Sequence, residues 1–125
     1  MVTEDWFVGA VERVAEAGRH ACLAIETAVD ALREGCEARH AGRSVVDVVD
    51  LLIAAGGRET RLMAAEAFRE YERAIASMRI AVVRALVDEG GLSLTDVAQR
   101  MKISRQAAAR LYEPVPEPDN HKGPH

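Results

Sequence analysis

Proline and aromatic residues are scarce in this chain of 125 residues, and both absences point to closely packed helices. All four prolines fall at or after Pro114, so no proline interrupts a helix in the preceding sequence. Tryptophan, tyrosine and phenylalanine together number five, although 49% of the residues are hydrophobic. A thick aromatic core is therefore excluded, and the many alanines favour helices that approach one another closely.

Cysteine is equally scarce, and no long apolar run is present. The two cysteines, Cys22 and Cys36, would lie about 21 Å apart on one helix, far beyond the reach of a disulfide. No apolar run approaches the roughly 18 residues of a membrane span. The acidic N-terminus MVTEDWF lacks the basic flank of a signal peptide. We therefore expect a soluble, cytoplasmic protein with reduced thiols and no membrane partner.

Apolar residues at helical spacing predict a long first helix. Thr3 is its predicted N-cap, with Glu4 and Asp5 in an acidic first turn. Gly35 is expected to kink or fray the end of this helix, and Gly42 is a natural residue to terminate it. The predicted stripe consists of Phe7, Val11, Val14, Ala17, Ala21, Ile25, Ala28 and Leu32.

Two further helices are predicted before residue 92. Ser44 and Asp47 form a capping-box pattern ahead of VVDVVDLLIAA, which is apolar around most of its circumference and is expected to be buried by a second subunit. The next helix is predicted from about Glu59 to Glu89, a span of about 45 Å that is too long for a compact monomer of this size. Its apolar seam alternates steps of three and four: Phe68, Tyr71, Ile75, Met78, Val82 and Ala85.

Charge is distributed unevenly along the chain. Residues 1–92 carry 11 Arg and no Lys against 16 acidic residues, a balance of −5. Residues 93–112 carry four basic residues against Asp96 alone, a balance of +3, and residues 113–125 carry −2. The whole chain is therefore acidic, at −4, while one short segment is basic. Because salt screens charge over about 8 Å, that local excess is what a nearby phosphate would meet.

The basic segment, SLTDVAQRMKISRQAAARLY at 93–112, predicts two short helices joined by a tight turn. Ser93 and Ser104 are the predicted N-caps, and Asp96 completes a capping box with Ser93. A steep helix crossing needs a small residue at the contact, which Ala98 provides. The predicted inward-facing residues are Leu94, Val97, Ala98, Met101, Ala108 and Leu111.

In these residues the chain resembles the helix-turn-helix DNA-binding superfamily, which includes bacterial transcriptional regulators and the promoter-reading region of sigma factors. ISRQAAARLY is similar to the recognition-helix segment VSRQA of bacterial regulators, and the resemblance covers about a sixth of the chain, residues 93–112. It implies double-stranded DNA as a partner. The implied DNA-binding residues are Ser104 for the backbone and Arg105, Gln106 and Arg110 for base edges. We further expect Arg100 and Lys102 to contact the backbone and Ala109 to lie against the groove near a thymine methyl. Arg and Gln suit these roles because Arg pairs with guanine and Gln with adenine in the major groove.

Lys102 departs from the pattern of this superfamily, which usually has glycine at the same place in the turn. A lysine adopts the left-handed backbone of such a turn only at some energetic cost. The sequence therefore leaves open whether this turn has the usual geometry. The same lysine is also a candidate for binding phosphate.

The predicted fold is an all-α helical bundle with a long central helix, dimeric, followed by a C-terminal helix-turn-helix. Residues 1–74 form the dimerisation body, residues 75–112 the DNA-binding region, and residues 113–125 a disordered or loosely docked tail. The predicted function is sequence-specific DNA binding by a homodimeric bacterial transcriptional regulator. The alternative function is that of a helical module that binds another protein without touching DNA. The alternative to a shared dimer core is that the seam of the long helix packs within one chain only. A small-molecule or protein effector is also possible.

Metal binding and catalysis have little support in the sequence. His20, Cys22, Cys36 and His40 invite a zinc site, but only Cys36 and His40 share a helix face, and His20 lies about five turns away. Both cysteines are instead expected to be small core residues, with Cys22 an inert buried thiol in an alanine-rich stripe. No nucleophile, paired carboxylates or phosphate-binding loop stands out. We therefore predict no enzyme activity, no cofactor and no metal site.

Overall fold

The structure is a computed structural model that describes residues 5–113. All regular structure in this range is helical, which confirms the predicted all-α class. The helices are α1 (Trp6–His40), α2 (Val45–Ala54), α3 (Gly57–Asp88), α4 (Leu94–Met101) and α5 (Arg105–Tyr112). The predicted cap Thr3 and the predicted tail beyond Glu113 lie outside the described residues.

The ends of α1 differ from the sequence-based prediction. Asp5 is its N-cap and not part of the first turn, because the Asp5 carboxylate accepts hydrogen bonds from the backbone N–H groups of Phe7 and Val8 at 3.0 and 3.3 Å. The prediction that Gly35 kinks or frays the helix was wrong, since Gly35 is a buried residue of an α1 that continues to His40. Gly42 follows the helix with φ +100°, as predicted for its terminating residue.

The chain divides into two compact units between Met78 and Arg79, within α3. The first unit contains α1, α2 and the N-terminal part of α3. Only small residues are buried in its described part: Ala10, Ala21, Gly35 and Ala67. Gly35 permits a close approach of α2, because a Cβ there would lie 3.0 Å from Leu52 Cδ2. This unit is therefore packed through backbone proximity more than through large side chains.

Apolar side chains of the first unit remain exposed in one copy of the chain. Helix α2 has no buried residue within the single chain, and Val46 and Ile53 are 68% and 66% exposed, so its burial by a second subunit stays a prediction. The prediction that the cysteines are core residues was also wrong, because Cys22 and Cys36 are both exposed. They lie beside the buried alanine stripe of α1 and not within it.

The second unit contains the C-terminal part of α3 with α4 and α5. Its core is centred on four buried residues: Val83, Val97, Ala98 and Ala108. Around them pack larger side chains that are partly buried: Leu86, Val87, Leu92, Leu94, Met101, Ile103, Leu111 and Tyr112. Within residues 5–113, no helix has an apolar stretch long enough to cross a membrane.

Candidate nucleic-acid interface

Each short helix of the second unit begins at a serine cap. The Ser93 hydroxyl accepts a hydrogen bond from the Asp96 backbone N–H at 3.1 Å, and the Ser104 hydroxyl accepts one from the Ala107 N–H at 2.9 Å. Both serines have extended backbone conformations, with ψ near 160°. These caps satisfy N–H groups that an isolated helix start leaves without partners. They explain why α4 and α5 form although each has only eight residues.

The turn between α4 and α5 depends on Lys102. This residue ends α4 in the left-handed conformation, with φ 61° and ψ 45°, and is the non-glycine residue with positive φ in the described chain. The Ala98 carbonyl accepts the Lys102 N–H and also the Ile103 N–H, the latter at 3.0 Å. Three residues therefore connect α4 to α5, and the lysine adopts the conformation that glycine usually supplies.

Small residues lie where α4 and α5 pack together. Ala98 of α4 is 5% exposed and Ala108 of α5 is fully buried. Leu94, Met101 and Leu111 pack around them, so these predicted inward-facing residues lie at the core. Because the methyl side chains of Ala98 and Ala108 occupy little volume, the two helices can approach closely over a short connection.

The opposite side of α5 carries long polar side chains. Arg105, Gln106 and Arg110 are exposed and Ala109 is half-buried between them. At 100° per residue these four positions fall within an arc of about 140°, while Ala107, Ala108, Leu111 and Tyr112 occupy the remainder. The structure thus brings the predicted base-contacting residues together on one surface. Ser104, Lys102 and Arg100 are also exposed, at the start of α5, in the turn and at the end of α4.

The cations on this surface are not neutralised by nearby carboxylates. Within residues 5–113, none of Arg100, Lys102, Arg105 and Arg110 forms an ion pair. By contrast, several arginines of α1 and α3 are paired with acids on their own helix, such as Arg73 with Glu66 at 3.0 Å and with Glu70 at 2.9 Å. The second unit therefore presents positive charge that is available to an anion.

Two contacts that the sequence analysis missed anchor the end of α5 to α3. The Tyr112 hydroxyl donates a hydrogen bond to Asp88 Oδ1 at 2.7 Å, and Arg84 Nη2 donates one to the Glu113 carbonyl at 3.3 Å. The hydrogen bond to Asp88 raises the pKa of Tyr112 above its ordinary value, and burial and the Asp88 charge act in the same direction. The partners are far apart in sequence, and no local signal identifies them.

The residues weighed for metal binding do not form a cluster. In the part of the chain that the structure describes, no group of three or more His, Cys, Asp or Glu side chains is arranged to hold a metal ion.

No family model, curated protein or solved structure matches the chain. The functional assignment therefore rests on the geometry and chemistry of the chain itself.

Proposed function

We propose that this protein is a sequence-specific DNA-binding protein, a transcriptional regulator of the bacterial helix-turn-helix type that acts as a homodimer. One observation carries the proposal: Arg105, Gln106 and Arg110 project from one side of α5 while its other side packs into the core of the second unit. An α-helix fits the major groove of B-DNA, where such side chains can reach base edges.

Each residue of the surface has a distinct role in the proposal. Arg105 and Arg110 offer two parallel N–H donors each, the geometry that guanine O6 and N7 accept. Gln106 offers the amide that pairs with adenine, and Ala109 leaves room for a thymine methyl. Arg100, Lys102 and Ser104 contact phosphates, which hold the protein in register without reading sequence.

Local charge supports this proposal despite the acidic chain. Residues 93–112 carry +3, and their four cations are unpaired within the described residues. At physiological ionic strength, acidic groups more than about 8 Å away contribute little to what a phosphate experiences. Phosphate binding to such a surface releases counterions, so affinity for any duplex should fall steeply with salt.

The direct test is selection of bound duplexes from a random pool, followed by titration of Arg105→Ala on the selected sequence. Losing a bidentate contact should cost about 1–3 kcal/mol on that sequence and much less on random DNA, so that specificity falls together with affinity. Fluorescence anisotropy at several salt concentrations measures both quantities.

Arg61→Ala is the matched control. Arg61 is an exposed arginine of α3 in the first unit, without an ion pair among residues 5–113. This variant loses the same charge and should bind the selected duplex within about twofold of the parent. A protein that shifts no duplex at low salt would defeat the proposal, and a helical module that binds another protein would then be the better account.

A further inference from the structure

Helix α1 carries a second apolar stripe that its own chain covers only in part, mainly at Gly18, where a Cβ would lie 3.3 Å from the Tyr71 ring. Eight positions alternate steps of four and three, the period of a helix pair. We call these residues the α1 seam: Val11, Ala15, Gly18, Cys22, Ile25, Val29, Leu32 and Cys36. None of them is buried, and Val11, Ile25 and Leu32 are 40%, 43% and 54% exposed. The residues next to the seam on one side include Ala21 and Gly35, which are buried.

Apolar surface continues from the α1 seam onto its neighbours. Near its middle, Gly18, Cys22 and Ile25 line a groove of about 830 Å³ with Phe68 and Tyr71 of α3. Near its end, Leu32 and Cys36 line a second groove, of about 370 Å³, with residues of α2 that include Val45 and Val49. All large apolar side chains that are exposed within residues 5–113 belong to the first unit, and the second unit has none in that range. The unpartnered surface is thus confined to the body of the protein.

The size of this face suits a small but specific interface. The seam runs about 37 Å along α1 on a helix about 10 Å wide. With its flanking groove residues, it offers roughly 500 Å² per copy, or about 1,000 Å² in a symmetric pair, which is where biological interfaces begin. A patch of this size is near the upper end of the largest apolar patches on monomeric proteins, and such patches are often functional.

The α1 seam is complementary in size to itself when it is reversed. Pairing residues whose numbers add to 47 places one large and one small residue in every layer: Val11 with Cys36, Ala15 with Leu32, Gly18 with Val29, and Cys22 with Ile25. A parallel pair would instead set each residue against its own copy, with two small residues opposed in some layers and Leu32 crowded against Leu32 in another. Because tightly packed interfaces have neither gaps nor overlaps, the antiparallel pairing is favoured.

Charges along the edge of the seam agree with the same pairing. The positions that follow Val11, Gly18, Ile25 and Leu32 are Glu12, Arg19, Glu26 and Arg33, alternating in sign. Reversal brings Glu12 beside Arg33 of the partner subunit and Arg19 beside the partner's Glu26, each twice by symmetry. The side chains of Arg19 and Arg33 are 68% and 74% exposed. They form ion pairs with Glu16 and Asp30 of their own helix, at 2.7 and 4.0 Å. Such surface pairs rearrange at little cost.

We propose that two copies of this chain associate through the α1 seam as antiparallel helices, with a two-fold axis at the level between Leu23 and Ala24. The buried alanine side of each α1 stays against its own chain. The charged edge, Glu12 to Arg33, remains at the water boundary. This inference identifies the surface of the homodimer and does not depend on DNA binding, because no residue of α4 or α5 takes part.

A disulfide trap tests the register. In the variant Val11→Cys with Cys22→Ala, residues 11 and 36 lie about 37 Å apart on one helix and cannot join within a chain. The proposal expects mild oxidation to give a covalent dimer, with a peptide linking residue 11 to residue 36 found by mass spectrometry. The dimer should disappear when Cys36→Ala is added. A crosslink between two copies of Cys36, or no covalent dimer, would overturn the antiparallel register.

Solution mass tests the surface itself. Ile25→Lys places a charge in the two central layers of the pair and should raise the dimer dissociation constant at least a hundredfold in sedimentation equilibrium. Leu62→Lys is the matched control, since Leu62 is 54% exposed on α3 and lines neither groove. It should leave the dimer unchanged. Circular dichroism verifies that both variants keep their helices, and a parent protein that is monomeric at 100 µM would overturn the proposal.

Charge reversal provides a test that does not disturb packing. Glu12→Arg and Arg33→Glu should each weaken the dimer about tenfold at low salt, because each places like charges together at two symmetric places. The double variant restores opposite charges and should recover the parental dissociation constant. Two losses that simply add would contradict the pairing. A dimer that shifts no duplex would defeat the proposed DNA binding alone, and a monomer that binds DNA would defeat this inference and the homodimer but not the DNA binding.

Discussion

Lys102 combines a cost to folding with the phosphate contact of the proposed function. It holds the left-handed conformation in the turn between α4 and α5, where an L-residue other than glycine pays about 1–2 kcal/mol. Its side chain is exposed and unpaired within the described residues. Backbone strain of this kind often occurs at functional sites, which agrees with the phosphate contact assigned to Lys102 in the proposed function.

Substitutions at Lys102 should therefore raise the free energy of unfolding and lower the affinity for DNA. Lys102→Gly relieves the backbone strain but frees the unfolded chain, so we expect a net gain of about 0.5–1 kcal/mol in the free energy of unfolding. DNA affinity should fall at the same time, with a shallower salt dependence. Chemical denaturation and anisotropy measure the two effects. Lys102→Asn also tolerates the left-handed backbone and removes the charge, so it should show the same binding loss with a smaller gain in stability than Lys102→Gly.

At the scale of helices, the caps were predictable and the distant contacts were not. Ser93 and Ser104 are of a residue type that commonly caps helices, and Asp96 completes a capping box with Ser93, so the starts of α4 and α5 can be predicted from a few neighbouring residues. The exposure of Cys22 could not be read in this way. Helix α1 is apolar over a wide arc, and periodicity does not say which of two adjacent stripes faces its own chain.

The hydrogen bond between Tyr112 and Asp88 belongs to the same scale, because it joins the end of α5 to the end of α3. The raised pKa of Tyr112 means that the folded protein holds the phenolic proton more tightly than the unfolded chain does. The resulting stabilisation is fully present below the ordinary tyrosine pKa near 10, and it is lost as pH rises through the folded value.

Tyr112→Phe should lower the melting temperature by about 2–5 °C at pH 7, since the donor to Asp88 is lost. The difference between parent and variant should shrink above pH 10, where the parent loses the same proton. Thermal melts from pH 7 to 11 measure this difference directly. Tyr71→Phe is the control, because the Tyr71 side chain lies in the first unit, and its effect should not follow the same pH course. A constant difference between Tyr112→Phe and the parent at all pH values would contradict the assigned hydrogen bond.

Across the whole molecule, the exposed apolar side chains and the unpaired cations of the candidate interface lie in different units. The first unit exposes the large apolar side chains, and the second unit has a compact core with unpaired cations on α5. The proposed dimer association and the proposed DNA recognition should therefore respond independently to substitutions. A single short helix offers only three long polar side chains, and a second copy would double the number of base contacts without any new contact within the chain.

This separation predicts cooperative binding to paired half-sites. Once a preferred sequence has been selected, a duplex with two inverted copies should bind more tightly than one copy by a factor that depends on their spacing. The optimum is expected near one helical turn, about 34 Å between centres, or a multiple of it.

Ile25→Lys should abolish that gain and leave the affinity for a single half-site unchanged, because Ile25 lies on α1 and not on α5. A spacing series in anisotropy, with the parent and Ile25→Lys side by side, measures both. Equal gains in the two proteins would show that the second half-site acts without the α1 seam.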